Sequence, residues 1–335
     1  MKNFEISVLD LAPVRQYKTI RDTFSDSLEL ARAVEQLDYK RFWLAEHHNM
    51  ASIASSATSV LIGYIANGTE RIRVGSGGVM LPNHSSLVIA EQFGTLESLF
   101  PNRIDLGVGR APGTDGITAK ALGRNPQNIN QHFPQQIQEL QRYFSIENAD
   151  SLVRAIPGEG CDVPIYMLGS STDSAWLAAE LGLPYAFAGH FAPQMMEAAF
   201  EIYHQNYKPS TEFPNPYTIA CINGIAAATD EEAQKLSTTL YQAFVNLIRN
   251  DRKYYAPPVD DMDDVWNPME KAHVQNMLKY TFVGSEETMK STMKAFQERF
   301  QVNEIMITSA IYDQEARIES YALIRKVADS LNGVV

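Results

Sequence analysis

Two adjacent histidines follow a carboxylate in the run Ala-Glu-His-His at residues 45–48, and imidazole is the side chain best suited to moving protons near neutral pH. If extended backbone persists through this run, the rings of His47 and His48 point to opposite faces, so they are poorly placed to chelate one metal ion together. One ring is therefore expected to face a functional site. It would act there as a proton donor or acceptor.

A second group of residues could bind an anion. Residues 169–174 read Gly-Ser-Ser-Thr-Asp-Ser and follow an apolar run, which predicts a helix start whose free N–H groups and dipole favour negative charge. Simple N-capping by serine is the alternative interpretation. Arg110 follows another strand-like run and favours the anion site, because a guanidinium can bind a phosphate with two hydrogen bonds. A salt bridge to Asp115 is the alternative for Arg110.

Three glycines lie close together at positions 75, 77 and 78. Glycine at a strand end permits a bulge, a strained peptide or the close approach of a flat ligand ring, and a tight turn is the alternative. Neither residues 75–80 nor residues 107–112 complete the three-glycine dinucleotide fingerprint. The sequence therefore does not support a Rossmann nicotinamide site.

Eight strand-like runs alternate with amphipathic helical stretches. This pattern predicts an α/β fold, a (β/α)8 TIM barrel, with one domain over residues 1–335 and the functional residues at the carboxyl ends of the strands. By that rule His190, at the end of the sixth run, is a weaker candidate for the site. The predicted strands are residues 3–9, 40–46, 71–77, 103–109, 164–168, 184–189, 217–226 and 303–308.

Two segments are longer than ordinary connections. Residues 111–160 form an insertion after strand four, in which a helix is expected to begin at Pro134, because proline suits the first turn of a helix. Residues 250–280 form a less regular, acidic insertion before strand eight. Such a segment in a compact domain is usually a functional lid or a mobile loop.

The composition excludes several classes of protein. The formal net charge is −12 and no basic patch stands out, so neither nucleic acid nor an anionic membrane surface is an expected partner. No segment has the apolar run of a signal peptide or a membrane helix. The two cysteines, Cys161 and Cys221, have no metal-ligand spacing and fit a reducing compartment. The expectation is a cytoplasmic protein without a metal site.

The order of the motifs is similar to that of the bacterial luciferase-like flavin-dependent monooxygenases. The resemblance begins at residues 41–50 and 75–84, continues through residues 90–92 and 101–110, and extends to residues 168–171 with Ser174. The similarity extends from the first strand to at least Pro184 and becomes weaker after it. Any one motif would be weak, but their order is specific.

The resemblance implies a barrel that binds reduced FMN, with O2 forming a flavin C4a-hydroperoxide that oxygenates a small organic substrate. His47 would be the catalytic residue, and Gly77 and Gly78 would be joined by a cis peptide against the flavin ring. A separate reductase would supply the reduced flavin, residues 250–280 would form the lid, and the chain would form a homodimer. The implied cofactor-binding residues are Gly77, Gly78, Arg110, Gly169, Ser170, Ser171 and Ser174.

Other functions remain open at this point. A flavin-binding protein without turnover has the same fold, and an F420-dependent oxidoreductase differs in its cofactor. One luciferase branch has an acidic residue beside the phosphate-binding serine, whereas Ser170 here follows Gly169, so light emission from an aldehyde is not implied. A metal-dependent hydrolase is disfavoured, because His47 and His48 do not form a His-x-His pair.

Overall fold

The computed structural model describes residues 2–124 and 129–334, and it contains a closed barrel of parallel strands surrounded by helices. The strands are β1 Glu5–Asp10, β2 Arg41–Leu44, β3 Arg73–Met80, β4 Ile104–Gly109, β5 Ile165–Gly169, β6 Tyr185–Phe187, β7 Thr218–Ala226, β8 Phe282–Gly284 and β9 Glu304–Thr308. The helices are α1 Ile20–Gln36, α2 Thr58–Asn67, α3 Ser86–Leu99, α4 Gly116–Ala121, α5 Ile129–Phe144, α6 Thr172–Glu180, α7 Met196–Asn206, α8 Asp230–Ile248, α9 Pro268–Met277, α10 Glu286–Phe300 and α11 Gln314–Asn332.

Eight of these strands close the barrel in the order β1-β2-β3-β4-β5-β6-β7-β9, with β9 pairing again with β1. Each predicted strand corresponds to one of them, so the predicted (β/α)8 barrel is confirmed. The sequence did not predict β8, a three-residue strand just after the second insertion. It extends the carboxyl end of β7, where Gly224 pairs with Phe282, and lies outside the ring.

The strands are buried on both sides, as parallel strands covered by helices must be. All nine residues of β7 are buried. The interior of the barrel is filled by side chains from several strands, among them Leu9, Trp43, Tyr166 and Met306. This packing of the interior fits the rule that ligands bind at the end of such a barrel.

A buried ionic cluster lies at the amino ends of the strands. The guanidinium of Arg41 contacts Asp105 at 2.8 Å and Glu304 at 2.9 Å, and all three side chains are almost fully buried. Tyr217 donates a hydrogen bond to Glu304 at 2.7 Å. Because the strands are parallel, this cluster lies at the end of the barrel opposite the carboxyl ends.

The first insertion contains α4 and α5, and residues 125–128 within it lie outside the described residues. The predicted helix start at Pro134 is wrong, since α5 already includes Ile129. Only the first four N–H groups of a helix lack an acceptor, so proline in the second turn removes a single hydrogen bond, which the packing of α5 outweighs. Both Ile137 and Leu140 on that helix are fully buried.

The second insertion is attached to the loop after β1. Tyr255 donates its backbone N–H to Val14 and accepts from Gln16, each at 2.9 Å, which forms a short parallel bridge at Arg15. Thr239 on α8 donates to the carbonyl of Ala256 at 3.0 Å. None of the helices among the described residues is long and apolar enough to cross a membrane.

Candidate active site

The carboxyl ends of the strands bring the predicted site residues to one mouth of the barrel. His47 follows β2, Gly77 and Gly78 lie within β3, and Arg110 follows β4. Residues 169–174 span the end of β5 and the start of α6. His190 comes three residues after β6. Five neighbouring strands thus contribute to this mouth.

The ring of His47 is half-buried and oriented by the loop after β4. Its Nδ1 lies 3.2 Å from the carbonyl oxygen of Gly113. A carbonyl oxygen can only accept a hydrogen bond, so Nδ1 carries the proton, and Nε2 keeps its lone pair in the neutral ring. Burial lowers the pKa of His47 below its usual value. The ring is therefore neutral at pH 7, with Nε2 as its proton acceptor.

The carboxylate of Glu46 connects the ends of β2 and β3. One oxygen lies 2.8 Å from Nε2 of His48 and 2.9 Å from Nε2 of His84, and it accepts from the side-chain amide of Asn83 at 3.1 Å. The other oxygen accepts the backbone N–H of Met80 at 3.0 Å. Burial acts to raise the pKa of Glu46, but the hydrogen bonds from His84, His48 and Met80 outweigh burial and lower it. Glu46 therefore joins His48 at the end of β2 to Met80 and His84 at the end of β3.

Sequence reasoning missed a further positioning residue, Arg124. Its guanidinium donates to the side chain of Asn83 at 3.1 Å and to the carbonyl of Arg110. It is 7% exposed, which is unusual for arginine. The contacts join the loop after β3 to the loop after β4. Their partners are distant in the chain, so no local pattern indicated them.

The peptide bond between Gly77 and Gly78 is cis, as the resemblance implied. A Cβ on Gly78 would lie 2.7 Å from the carbonyl oxygen of Gly107, and one on Gly77 would lie 2.7 Å from Leu9. The contact at Gly78 is with backbone and is too close for any other residue type, whereas the contact at Gly77 is with the end of the Leu9 side chain. The alternative of a tight turn is wrong, because the pair lies inside β3, where the register with β4 shifts between Gly77 and Val79. The pair presents bare backbone near the mouth.

The serine cluster begins α6. Ser171 is the N-cap residue, yet its hydroxyl makes no capping hydrogen bond to the helix backbone, so the alternative of simple serine capping does not account for it. Ser174 donates to the carbonyl of Ser171 at 2.7 Å and lies 3.0 Å from the hydroxyl of Tyr185. A Cβ on Gly169 would lie 1.9 Å from the Ser174 oxygen, so glycine allows this close packing. Ser170 is half-buried beside them.

Arg110 extends toward the same helix start. Among the described residues, the carboxylate within ion-pair distance of its guanidinium is that of Asp173, at 3.9 Å. The alternative of a salt bridge between Arg110 and Asp115 is wrong, because Asp115 caps α4 and pairs with Arg252 at 3.0 Å. A guanidinium, serine hydroxyls and a helix N-terminus therefore lie together, as an anion site requires.

His190 is held by the neighbouring strand. Its carbonyl accepts a hydrogen bond from the side-chain amide of Asn223 on β7 at 2.6 Å. Its ring packs edge-on against Phe191, with 4.8 Å between the ring centroids. Burial, together with the neighbouring imidazole of His47, lowers the pKa of His190 to about 3. The two rings are thus close enough for charge on one to disfavour charge on the other.

Comparisons with known proteins agree with this geometry. A family model described as "Luciferase-like monooxygenase" matches residues 4–301. The chain is similar to the uncharacterised protein YvbT of Bacillus subtilis (strain 168), at 53% identity over 97% of each chain. It is 47% identical to a "Luciferase-like monooxygenase" of Escherichia coli (strain K12) over 99% of each chain. The crystal structure of apo-MsnO8 is 30% identical, with a TM-score of 0.85, and the match covers 97% of this chain and 98% of that one. This chain belongs to the luciferase-like monooxygenase family.

Proposed function

We propose that this protein is an FMN-dependent monooxygenase that uses reduced FMN and O2 to oxygenate a small organic substrate. One observation carries the proposal. The bare backbone of Gly77 and Gly78 and the anion site around Arg110 lie on the neighbouring strands β3, β4 and β5, at the same mouth as His47. A flat ring with a phosphate tail needs these two surfaces side by side.

The chain's own residues have separate roles in this proposal. Arg110 and the hydroxyls of Ser170 and Ser171 bind the phosphate, and Gly77 and Gly78 pack against the ring. Bound reduced FMN supplies the electrons for activating oxygen. His47 accepts or donates a proton through Nε2, which its hydrogen bond to Gly113 leaves free.

The second insertion serves as a cover for the mouth. Tyr255 bridges to the loop after β1, and Arg252 reaches Asp115 in the loop after β4 at 3.0 Å. Both contacts place the segment next to loops that line the mouth. We infer that it excludes water from the reacting groups.

Reduced flavin comes from a separate reductase in this proposal, because no nicotinamide-binding fingerprint is present in the sequence. Two solved structures with this fold differ in cofactor: the oxygenating constituent of a diketocamphane monooxygenase holds FMN, and a secondary alcohol dehydrogenase holds an F420–acetone adduct. Their identities of 17% and 14% indicate the fold alone. A side-by-side titration with FMN and F420 tests the cofactor, and preference for F420 would contradict the proposal.

The test of turnover compares the wild type with His47→Asn. Asparagine can keep the hydrogen bond to Gly113 but has no atom in place of Nε2. Anaerobic titration should give nearly the same affinity for reduced FMN in both proteins. On mixing with O2, the wild type should reoxidise the flavin with kinetics unlike those of free flavin. The variant should lose about 100-fold in the proton-dependent step.

Two outcomes would contradict this proposal. If wild-type protein leaves the reoxidation of reduced FMN identical to that of the free flavin, the protein is not an oxygenase. If His47→Asn changes neither the kinetics nor the affinity, the protein is a flavin binder in which His47 has no catalytic role. The exposed His273 on α9 provides the control, since His273→Asn should behave as wild type.

A further inference from the structure

His47 and His190 follow strands on opposite sides of the barrel, yet their rings come close enough over the mouth for His47 to lower the pKa of His190. In the ring of eight strands, β2 and β6 are separated by β3, β4 and β5 on one side and by β1, β9 and β7 on the other. The first of these arcs carries the proposed ring surface and the anion site. A ring bound on that arc therefore lies between the strand that precedes His47 and the strand that precedes His190.

The backbone of His190 is fixed. Asn223 is 4% exposed and donates to the His190 carbonyl. A Cβ on the preceding Gly189 would lie 2.9 Å from Ile222 and 3.0 Å from the carbonyl of Cys221, so the chain packs directly onto β7. Phe191 contacts the imidazole ring edge-on. The ring is thus held in place and does not swing freely in solvent.

One atom of this fixed ring has no partner in the protein. Nδ1 of His190 is buried, and no described residue forms a hydrogen bond with it. Buried polar atoms are nearly always paired, because an unpaired one loses its hydration without compensation. The corresponding atom of His47 is paired, with Gly113. His190 therefore has an unused hydrogen-bonding atom at the mouth.

The charge state of the ring fits a hydrogen-bonding role. With a pKa of about 3, the imidazole of His190 is neutral at physiological pH. A neutral imidazole offers one donor and one acceptor nitrogen, and it adds no positive charge beside His47. It can therefore pair with either kind of polar atom on a ligand.

We propose that Nδ1 of His190 forms a hydrogen bond with the polar edge of the flavin ring system. This inference rests on the proposed function. His190 is a cofactor-contacting residue in it, and its hydrogen bond holds the ring against the backbone of Gly77 and Gly78. Neither the resemblance nor any of the comparisons assigns this role to His190.

Three substitutions separate this role from simple packing. In His190→Asn, the side-chain amide can occupy the position of Nδ1. In His190→Gln, the amide reaches the position of Nε2 instead. His190→Phe keeps the aromatic contact with Phe191 but has no polar atom. Affinity for oxidised FMN is measured by quenching of flavin fluorescence, without turnover. We expect the Phe and Gln variants to bind about threefold to tenfold more weakly, and the Asn variant to bind nearly as the wild type does.

A second measurement does not depend on any variant. In wild-type protein labelled with 15N-histidine, the Nδ1 resonance of His190 should shift on addition of FMN, while that of the exposed His273 should not. If a variant fails to fold, as judged by circular dichroism, the titration of the wild-type protein is sufficient to test the inference. An unshifted His190 resonance, or Phe and Gln variants that bind as tightly as wild type, would overturn the inference.

The failure of this inference differs from the failure of the proposed function. If wild-type protein does not bind FMN at all, the proposed function itself is wrong. If the wild type binds FMN and reoxidises it with altered kinetics, but His190→Phe has wild-type affinity, only the role of His190 is wrong. In that case the unpaired Nδ1 has no bearing on the flavin.

Discussion

At the scale of single residues, the mouth contains two kinds of polar group. Glu46 and Arg124 are buried, and they form hydrogen bonds with residues of neighbouring loops. Ser171 and Arg110 keep hydrogen-bonding capacity, since the Ser171 hydroxyl does not cap its helix and Arg110 meets only a distant carboxylate among the described residues. The groups with unused capacity are the ones available to a ligand.

Arg110→Met tests the anion site. Methionine keeps much of the length of the side chain but removes the charge and the donors of the guanidinium. We expect FMN affinity to fall by about 10-fold to 100-fold, as for the loss of charge-assisted hydrogen bonds, and riboflavin affinity to stay unchanged. Isothermal titration with both ligands checks this. Equal losses for FMN and riboflavin would mean that Arg110 contacts the ring or supports the fold.

At the scale of elements, the loop after β4 orients the proposed catalytic ring. Gly113 has φ +64°, and a Cβ there would lie 2.6 Å from the carbonyl oxygen of Glu46. The same residue accepts the hydrogen bond from His47 and another from the backbone N–H of His48 at 3.1 Å. A single glycine thus sets the distance between this loop and the end of β2.

Gly113→Ala should move the loop away from His47. We expect a loss of about 1–3 kcal/mol of unfolding free energy, from the left-handed backbone and the close contact together. Urea unfolding measures this loss of free energy, and we expect activity to fall in the same variant. The control is Gly123→Ala, where φ is +75° but no atom of the described residues lies within 4 Å of the added Cβ. Equal losses of unfolding free energy in the two variants would show that the close contact with Glu46 does not contribute to the effect.

The sequence predicted elements better than contacts between them. Runs of apolar residues located all eight barrel strands, because each strand is buried on both faces. The strand β8 was missed, since three residues carry no periodicity. Likewise, the alternative of a salt bridge between Arg110 and Asp115 is wrong, because Asp115 pairs with Arg252 from the second insertion. The strand-end rule named the candidate site residues, whereas the partners of Glu46 depended on tertiary packing.

At the scale of the whole molecule, the buried ionic cluster at the amino ends and the mouth at the carboxyl ends are separate. Arg41→Met would leave Asp105 and Glu304 without their shared partner in the interior. Removal of one partner from a buried pair costs about 3–5 kcal/mol. We expect that loss in urea unfolding, with unchanged FMN affinity in the folded protein.

The control for Arg41→Met is Lys326→Met. Lys326 pairs with Glu286 at 2.6 Å, but both side chains are largely exposed. An exposed pair contributes little, so this variant should unfold nearly as the wild type does. A small effect of Arg41→Met, equal to that of the control, would contradict the assignment of the cluster as a stabilising feature.

Stability should also depend on pH through the two histidines at the mouth. Both have a lowered pKa in the folded protein, so below the ordinary value of 6.5 the unfolded chain binds more protons than the folded one. Their contribution is fully present above pH 6.5 and is lost as the pH falls toward the pKa of His190, about 3. Urea unfolding at pH 7, 5 and 4 measures this contribution of the two histidines to stability. His190→Phe should lose less stability across this range than the wild type, and equal losses would contradict the explanation.

The bridge between Arg15 and Tyr255 joins the first loop of the chain to a segment from its last third. Contacts between such distant positions form late in folding, because the loop between them must close first. On the ribosome, the amino-terminal strands emerge long before Tyr255 is synthesised. The bridge can therefore form only in a nearly full-length chain, and if the second insertion covers the mouth as proposed, ligand capture there becomes a late step in the maturation of the protein.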